Sequence, residues 1–323
     1  MGLQIPILMK YSIRFACVFP GQGSQTVGMM AGYNDFPVVR ETFAEASDIL
    51  RQDFWAMVNE GPPESLNLTI NTQPLMLIAD IAIFRALQSV TAVKPEVMAG
   101  HSLGEYAALV AGGVLSFAEV LPLVRFRAEV MQQAVPEGTG AMAAVLGLDD
   151  EKIQEACREV SHSSGGEVLE PANFNSPGQI VIAGHKNAVL RGMEVVLSKG
   201  AKRAVLLPMS IPSHCSLMRS AAEKLQKRLE SVSLDKPEIP LLHNADVKRH
   251  ADSEAIKQVL VRQLFSPVRW TETIRSVAAA GITLVVECGP GKVLSGLNKR
   301  IDVNLQTLAL SDSAALSTIG SMM

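Results

Sequence analysis

Short apolar runs, each followed by a longer stretch with helical spacing, set the pattern of the first third of this chain. Residues 13–19 predict a buried strand that stops at Pro20-Gly21-Gln22-Gly23-Ser24-Gln25, a glycine-rich loop. Residues 36–60 and 73–91 predict two helices; Asn71, Thr72 and Gln73 precede the second, and Pro74 suits its first turn. A short buried strand over 95–99 leads through Gly100-His101-Ser102-Leu103-Gly104 into helix-forming residues 105–111. Ser116 is placed to cap a further helix that reaches Ala134. Strands alternating with helices imply a parallel sheet covered by helices.

The middle of the chain reads differently. Residues 140–146, 169–173, 179–183 and 202–208 predict strands, with helices over 149–160 and 187–199. That order, β-α-β-β-α-β, is the ferredoxin-like arrangement. It predicts a small subdomain, residues 138–211, inserted into a discontinuous large α/β subdomain made of 13–137 and 212–310. In the latter, helices are expected over 221–231, 252–265 and 271–280, and strands over 240–244 and 283–288, with a turn at Gly289-Pro290-Gly291. Residues 1–12 read as an extension outside the fold, and the small-residue tail 311–323 is expected to fray.

Composition narrows the classes of function. At 323 residues and 48% hydrophobic, the chain can build one large domain or a large domain carrying a smaller one. A formal net charge of −3 and 5% aromatic residues give no surface for nucleic acid. Cys17, Cys157, Cys215 and Cys288 are scattered and form no C-x-x-C pair. They fit reduced thiols in a cytoplasmic protein, rather than a disulfide framework or a zinc site. No apolar run is expected to span a membrane. No metal is expected, and no surface segment reads as an obligate interface, so a monomer is expected.

Gly100 to Gly104 reads G-x-S-x-G where a strand should turn sharply into a helix. By composition alone the pattern arises in about one chain in ten of this size. In strand-turn-helix context it reads as a nucleophile elbow, with the Ser102 hydroxyl expected at a helix N-terminus beside backbone N–H groups. A serine nucleophile needs a base. Of the six histidines, His162 and His250 sit in polar stretches and read as solvated, while His185 and His243 flank strands and read as structural. His101 adjoins the serine but is expected to point to the other side. His214 falls where the small subdomain hands back to the large one, so its loop should face a cleft.

Several motifs together resemble the malonyl-CoA:acyl-carrier-protein transacylases of bacterial fatty-acid synthesis. They are Phe19–Gln25, Gly100–Tyr106, Val135–Met142, Asn173–Gln179, Pro212-Ser213-His214 and Gly289–Leu294, in register from about Ile13 to Leu310. The resemblance implies a hydrolase-like α/β core with a ferredoxin-like insert, which agrees with the pattern above. It implies Ser102 as the nucleophile and His214 as the general base, oriented by a backbone carbonyl at Gln263 rather than by a carboxylate. It implies an oxyanion hole from Gln22 and the Leu103 N–H. It also implies that Arg127 holds the free malonyl carboxylate, with Asn173 and Asn175 near the substrate. Family members usually carry Gly after that arginine; here Ala128 follows, and Arg125 lies two residues before it. Leu103, apolar, agrees with malonyl rather than methylmalonyl selectivity.

The implied partners are malonyl-CoA and acyl carrier protein, with no cofactor beyond the CoA thioester. Carrier proteins of this pathway are acidic, which suits a basic rim; Lys202, Arg203, Lys292, Lys299 and Arg300 are candidates. Three alternatives stay open: a serine thioesterase or hydrolase, an acyltransferase of a polyketide pathway, and a non-catalytic module that inherited the fold. A cation gripping the acyl group and the missing triad acid speak against hydrolysis. Intact Ser102, His214, Gln22 and Arg127 speak against decay.

Overall fold

A computed structural model describes residues 14–163, 165–209 and 211–322; the extension expected over residues 1–12 lies outside them. The strands are β1 (Phe15–Phe19), β2 (Val97–Gly100), β3 (Gly140–Leu146), β4 (Leu169–Ser176), β5 (Gln179–His185), β6 (Arg203–Leu206), β7 (Leu241–Leu242), β8 (Leu284–Glu287) and β9 (Gln306–Ala309). The helices are α1 (Pro37–Leu50), α2 (Phe54–Glu60), α3 (Pro63–Leu66), α4 (Thr69–Val90), α5 (Gly104–Ala111), α6 (Phe117–Gln132) and α7 (Asp150–Ser163). They continue with α8 (Lys186–Ser198), α9 (Arg219–Glu230), α10 (Ser253–Gln263), α11 (Trp270–Ala279), α12 (Val293–Ile301) and α13 (Ser313–Met322).

Two sheets organise the molecule. The first is parallel, five-stranded, in the order β7-β2-β1-β8-β9. Every residue of β1 is buried, because helices cover both faces of a parallel sheet. The second is antiparallel, four-stranded, in the order β4-β5-β3-β6, the ferredoxin-like order. Its side chains alternate with the pleat. Ala143 and Val145 join Ile153, Cys157, Val189 and Val196 in a core beneath α7 and α8, while Met142 and Ala144 face a cavity. Bonds from Phe174 N to Val268 O (2.9 Å) and from Val268 N to Ala172 O (2.9 Å) tie this sheet to the large α/β part.

Several sequence expectations change. The helix expected over 36–60 is two helices, because Arg51 adopts φ 51° and ends α1, and Asp53 then caps α2 by accepting from Ala56 N at 2.9 Å. The helix expected from residue 73 begins at Thr69, so Pro74 lies inside it. Asn71 and Thr72 reach back to the carbonyls of Ser65 and Leu66 instead of capping. The tail does not fray: Asp312 caps α13, which buries Leu316 and Ile319 and packs against α4. Elements α12 and β9, unassigned in the sequence, complete the α/β pattern; the buried Glu287 carboxylate accepts the N–H groups of Leu294 and Ser295 at the start of α12. Helix α3 is likewise unassigned in the sequence; the other elements fall within a few residues of expectation.

Helix α4 is also long and apolar enough to cross a membrane by length and composition, contrary to the expectation that no run is. It carries Asp80 mid-length and is enclosed by protein, as the central helix of the core.

Candidate active site

Strand β2 ends at Gly100, and the chain turns within four residues into α5. Steric demand explains both glycines. A Cβ on Gly100 would lie 1.9 Å from the Gly104 carbonyl carbon, and one on Gly104 would lie 2.1 Å from the Phe19 carbonyl oxygen. Ser102 is held between them at φ 52°, a left-handed conformation that costs a serine of order 1–3 kcal/mol. The surroundings hold it there: Asn244 Oδ1 accepts from Ser102 N at 2.7 Å, and Asn244 Nδ2 donates to Gly100 O at 2.6 Å.

The hydroxyl faces a cavity of about 580 Å³, walled by the elbow, the glycine-rich loop, the small antiparallel sheet and α12. His214 Nε2 lies 2.7 Å from Ser102 Oγ, and its Nδ1 lies 2.8 Å from the backbone oxygen of Gln263. The carbonyl can only accept, so it holds the proton on Nδ1 and leaves Nε2 free to take one from the serine.

Arg127 projects from the buried face of α6, in line with Val120, Val124 and Met131. Its Nη1 donates to Gln73 Oε1 at 2.7 Å; its Nη2 donates to Gln263 Oε1 at 3.0 Å and to Ser102 Oγ at 3.3 Å. Arg127 Nε is buried without a partner among the described residues. Arg125 turns the other way, onto Gln52 and the face of Phe54. A planar cation thus sits against a hydrogen-bonded serine–histidine pair, beside a cavity large enough for an acyl chain.

The comparisons with known proteins agree. The acyl transferase domain family matches residues 16–304. The malonyl CoA-acyl carrier protein transacylase of Salmonella typhimurium is 52% identical over 305 residues, 94% of this chain and 98% of its own. The chain belongs to this transacylase family.

Its fold is that of family members with solved structures. The Coxiella burnetii enzyme superposes with a TM-score of 0.94 at 46% identity, covering 96% of this chain and 98% of its own. A malonyl-transacylase solved with a type II polyketide-synthase acyl-carrier protein gives 0.93 at 51% identity, covering 95% and 99%.

The other expected transacylase residues fall around the same cavity. Gln22 lines it, with its side-chain amide on Thr69 Oγ1 at 3.2 Å, and the Leu103 N–H, ahead of the first turn of α5, has no acceptor among the described residues. Asn173 and Asn175 line it too, but Asn175 Oδ1 lies 2.8 Å from His101 Nε2. His101 therefore does not point away from the site, as expected; it lines the same cavity, its ring 5.6 Å from that of Trp270. His250, expected to be solvated, is paired with Asp246 at 3.0 Å. On the rim, Arg300 Nη1 donates to Gln179 Oε1 at 2.7 Å, and Val293, next to Lys292, lines the cavity. Sequence reasoning missed Gln73, Glu105 and Asn244 as site residues. Only Glu105 carried a local signal, since it directly follows the elbow. Among the described residues, no cluster of His, Cys, Asp or Glu could hold a metal ion.

Burial sets the electrostatics. It pulls His214 down to about 3, with the Arg127 charge adding to the effect and the Gln263 carbonyl opposing it. The imidazole is therefore neutral near pH 7, with Nε2 able to accept a proton. Burial also lowers Arg127, opposed by Tyr106 and Glu105, and raises the Tyr106 phenol to about 12.

Proposed function

We propose that this chain transfers a malonyl group from malonyl-CoA to the phosphopantetheine thiol of acyl carrier protein, through a malonyl ester on Ser102. The observation that carries this reading is the Arg127 guanidinium 3.3 Å from the Ser102 hydroxyl, with His214 at 2.7 Å on the same oxygen. His214 Nε2 takes the serine proton as Oγ attacks the thioester carbonyl. The oxyanion forms beside the Leu103 N–H and Gln22, whose donors bind it more strongly than they bind the ground-state carbonyl. The tetrahedral intermediate collapses, the C–S bond breaks, and the imidazolium returns its proton to the departing CoA thiolate. The carrier thiol then repeats the sequence in reverse. Throughout, the free malonyl carboxylate lies on Arg127, a charge-assisted contact of about 1.5–3 kcal/mol.

We also read residues 138–211 as one subdomain inserted between 13–137 and 212–310, with Asn173 and Asn175 as its contribution to the substrate wall. Free, buried cysteines fit a reduced cytoplasmic setting. The carbonyl on His214, in place of a carboxylate, favours transfer over a hydrolase reading. Intact-mass measurement after mixing with malonyl-CoA should show a malonyl adduct, located by peptide mapping on the Ser102 peptide. Full labelling of Ser102→Ala would refute the assignment. Supplying a fatty-acid carrier and a polyketide carrier in parallel decides between the two pathways.

A further inference from the structure

Behind the serine and the arginine lies a carboxylate that the reaction itself never touches. Glu105, in the first turn of α5, is 1% exposed. Its Oε1 lies 2.7 Å from His243 Nδ1, and its Oε2 accepts from Asn244 N at 3.0 Å and from Gln263 Nε2 at 2.8 Å. Gln263 is fully buried, and its Nε2 also donates to Ser102 O at 3.0 Å. We propose that Glu105 is a positioning residue for malonyl transfer: by fixing the amide of Gln263, it aligns the Arg127 clamp and the His214 base together. The inference rests on the transfer reading above.

Donor and acceptor capacity sets the orientation of the Gln263 amide. Glu105 Oε2 and Ser102 O can both only accept, so together they compel Gln263 to turn its NH₂ group inward, the carboxylate making the charge-assisted bond. The amide oxygen must then face outward, where Arg127 Nη2 meets it at 3.0 Å. Arg127 can only donate, so the opposite amide orientation would set donor against donor. An anion, an amide dipole and a cation line up in a buried chain, in which each bond polarises the next. The backbone oxygen of the same Gln263 receives His214 Nδ1. One carboxylate thereby governs two groups that meet the substrate at different atoms. A neutral amide at position 105 would keep the shape but weaken this hold, leaving Ser102 O as the remaining fixed acceptor, since it gives up the charge-assisted bond and can present either an oxygen or an NH₂ group to Gln263.

The test is the rate of Ser102 acylation by malonyl-CoA and by acetyl-CoA, read by intact mass in wild type, E105Q, Q263M and the double variant. Failure of wild type to take malonyl would overturn the transfer reading and this inference with it. Given wild-type labelling, E105Q should slow malonylation by about 10- to 100-fold, the usual cost of misplacing a reacting group by an ångström. Acetylation should suffer less, so the malonyl-to-acetyl ratio should fall about tenfold, because only malonyl uses the clamp. In the Q263M background, E105Q should add no more than about a further twofold, since Glu105 acts through that amide. A residue that merely anchors His243 and Asn244 would slow both substrates alike and multiply with Q263M; either result overturns the inference. Should E105Q fail a thermal-melting check of folding, E105D takes its place. It keeps the charge but withdraws it by one methylene, and a wild-type ratio in E105D would equally overturn the assignment.

Discussion

His214 owes its basic form to burial. With its value depressed from 6.5 to about 3, the native state stays unprotonated across a window in which the unfolded chain takes up a proton. The unfolded state then binds more protons, so stability rises with pH through that window. Its contribution is complete above pH 6.5 and is lost as pH falls toward about 3. Malonylation should accordingly hold level from about pH 8 to about pH 5, instead of falling near the ordinary histidine value. A stopped-flow pH profile checks this. His214→Ala should slow acylation by about 10²–10⁴-fold. On the proposed reading, Arg127 governs choice rather than chemistry. Arg127→Ala should lose malonyl transfer while keeping acetyl transfer, and Arg127→Lys should restore only part of the ratio, because an ammonium lacks the planar fork. An unchanged malonyl-to-acetyl ratio in Arg127→Ala would show that the carboxylate is read elsewhere.

The elements differ in how much of themselves they declare in the sequence. The elbow was legible because its cause is local: glycines at 100 and 104 admit a crossing that any Cβ would block. Arg127 was separable from Arg125 because two steps along a helix reverse the direction of a side chain. Helix α13 was not legible. Its burial rests on two apolar residues, Leu316 and Ile319, among small and polar neighbours, and their partner α4 lies more than 200 residues earlier. Gln73 and Asn244 escaped for the same reason: each comes from a distant segment, and only the fold brings it to Ser102 or Arg127. Since α13 is packed, Leu316→Ala should destabilise the protein by about 2–5 kcal/mol, the usual cost of emptying a buried leucine site. Chemical denaturation measures it, and a loss below about 0.5 kcal/mol would mean that the tail contributes surface and no core.

In the whole molecule, the two sheets meet at the cavity, and polar latches hold them there. Glu170, on β4, accepts from Ser216 N at 2.7 Å and from Ser216 Oγ at 2.8 Å, two residues beyond His214. The small sheet thus supplies both a wall and a brace for His214. The parallel sheet and the βαββαβ run of elements were both readable from the alternation of elements; the strand order of the parallel sheet was not. Their docking was not, because bridges such as Asn173 to Val268 join segments with no mark of each other in sequence.

The burial of Arg127 has a thermodynamic corollary: the residue is 1% exposed, and the side chains that accept from it, Gln73, Gln263 and Ser102, are all neutral. A buried cation held only by neutral acceptors keeps part of its desolvation cost. On the proposed reading, a carboxylate tethered to Ser102 offsets that cost by pairing with the guanidinium, so the malonylated protein should melt several degrees above both the free and the acetylated forms. Differential scanning calorimetry of the three species tests this, and equal melting temperatures would refute it. The acyl group then serves as a transient piece of the interior, and each turnover alternates between a completed core and one with a part missing.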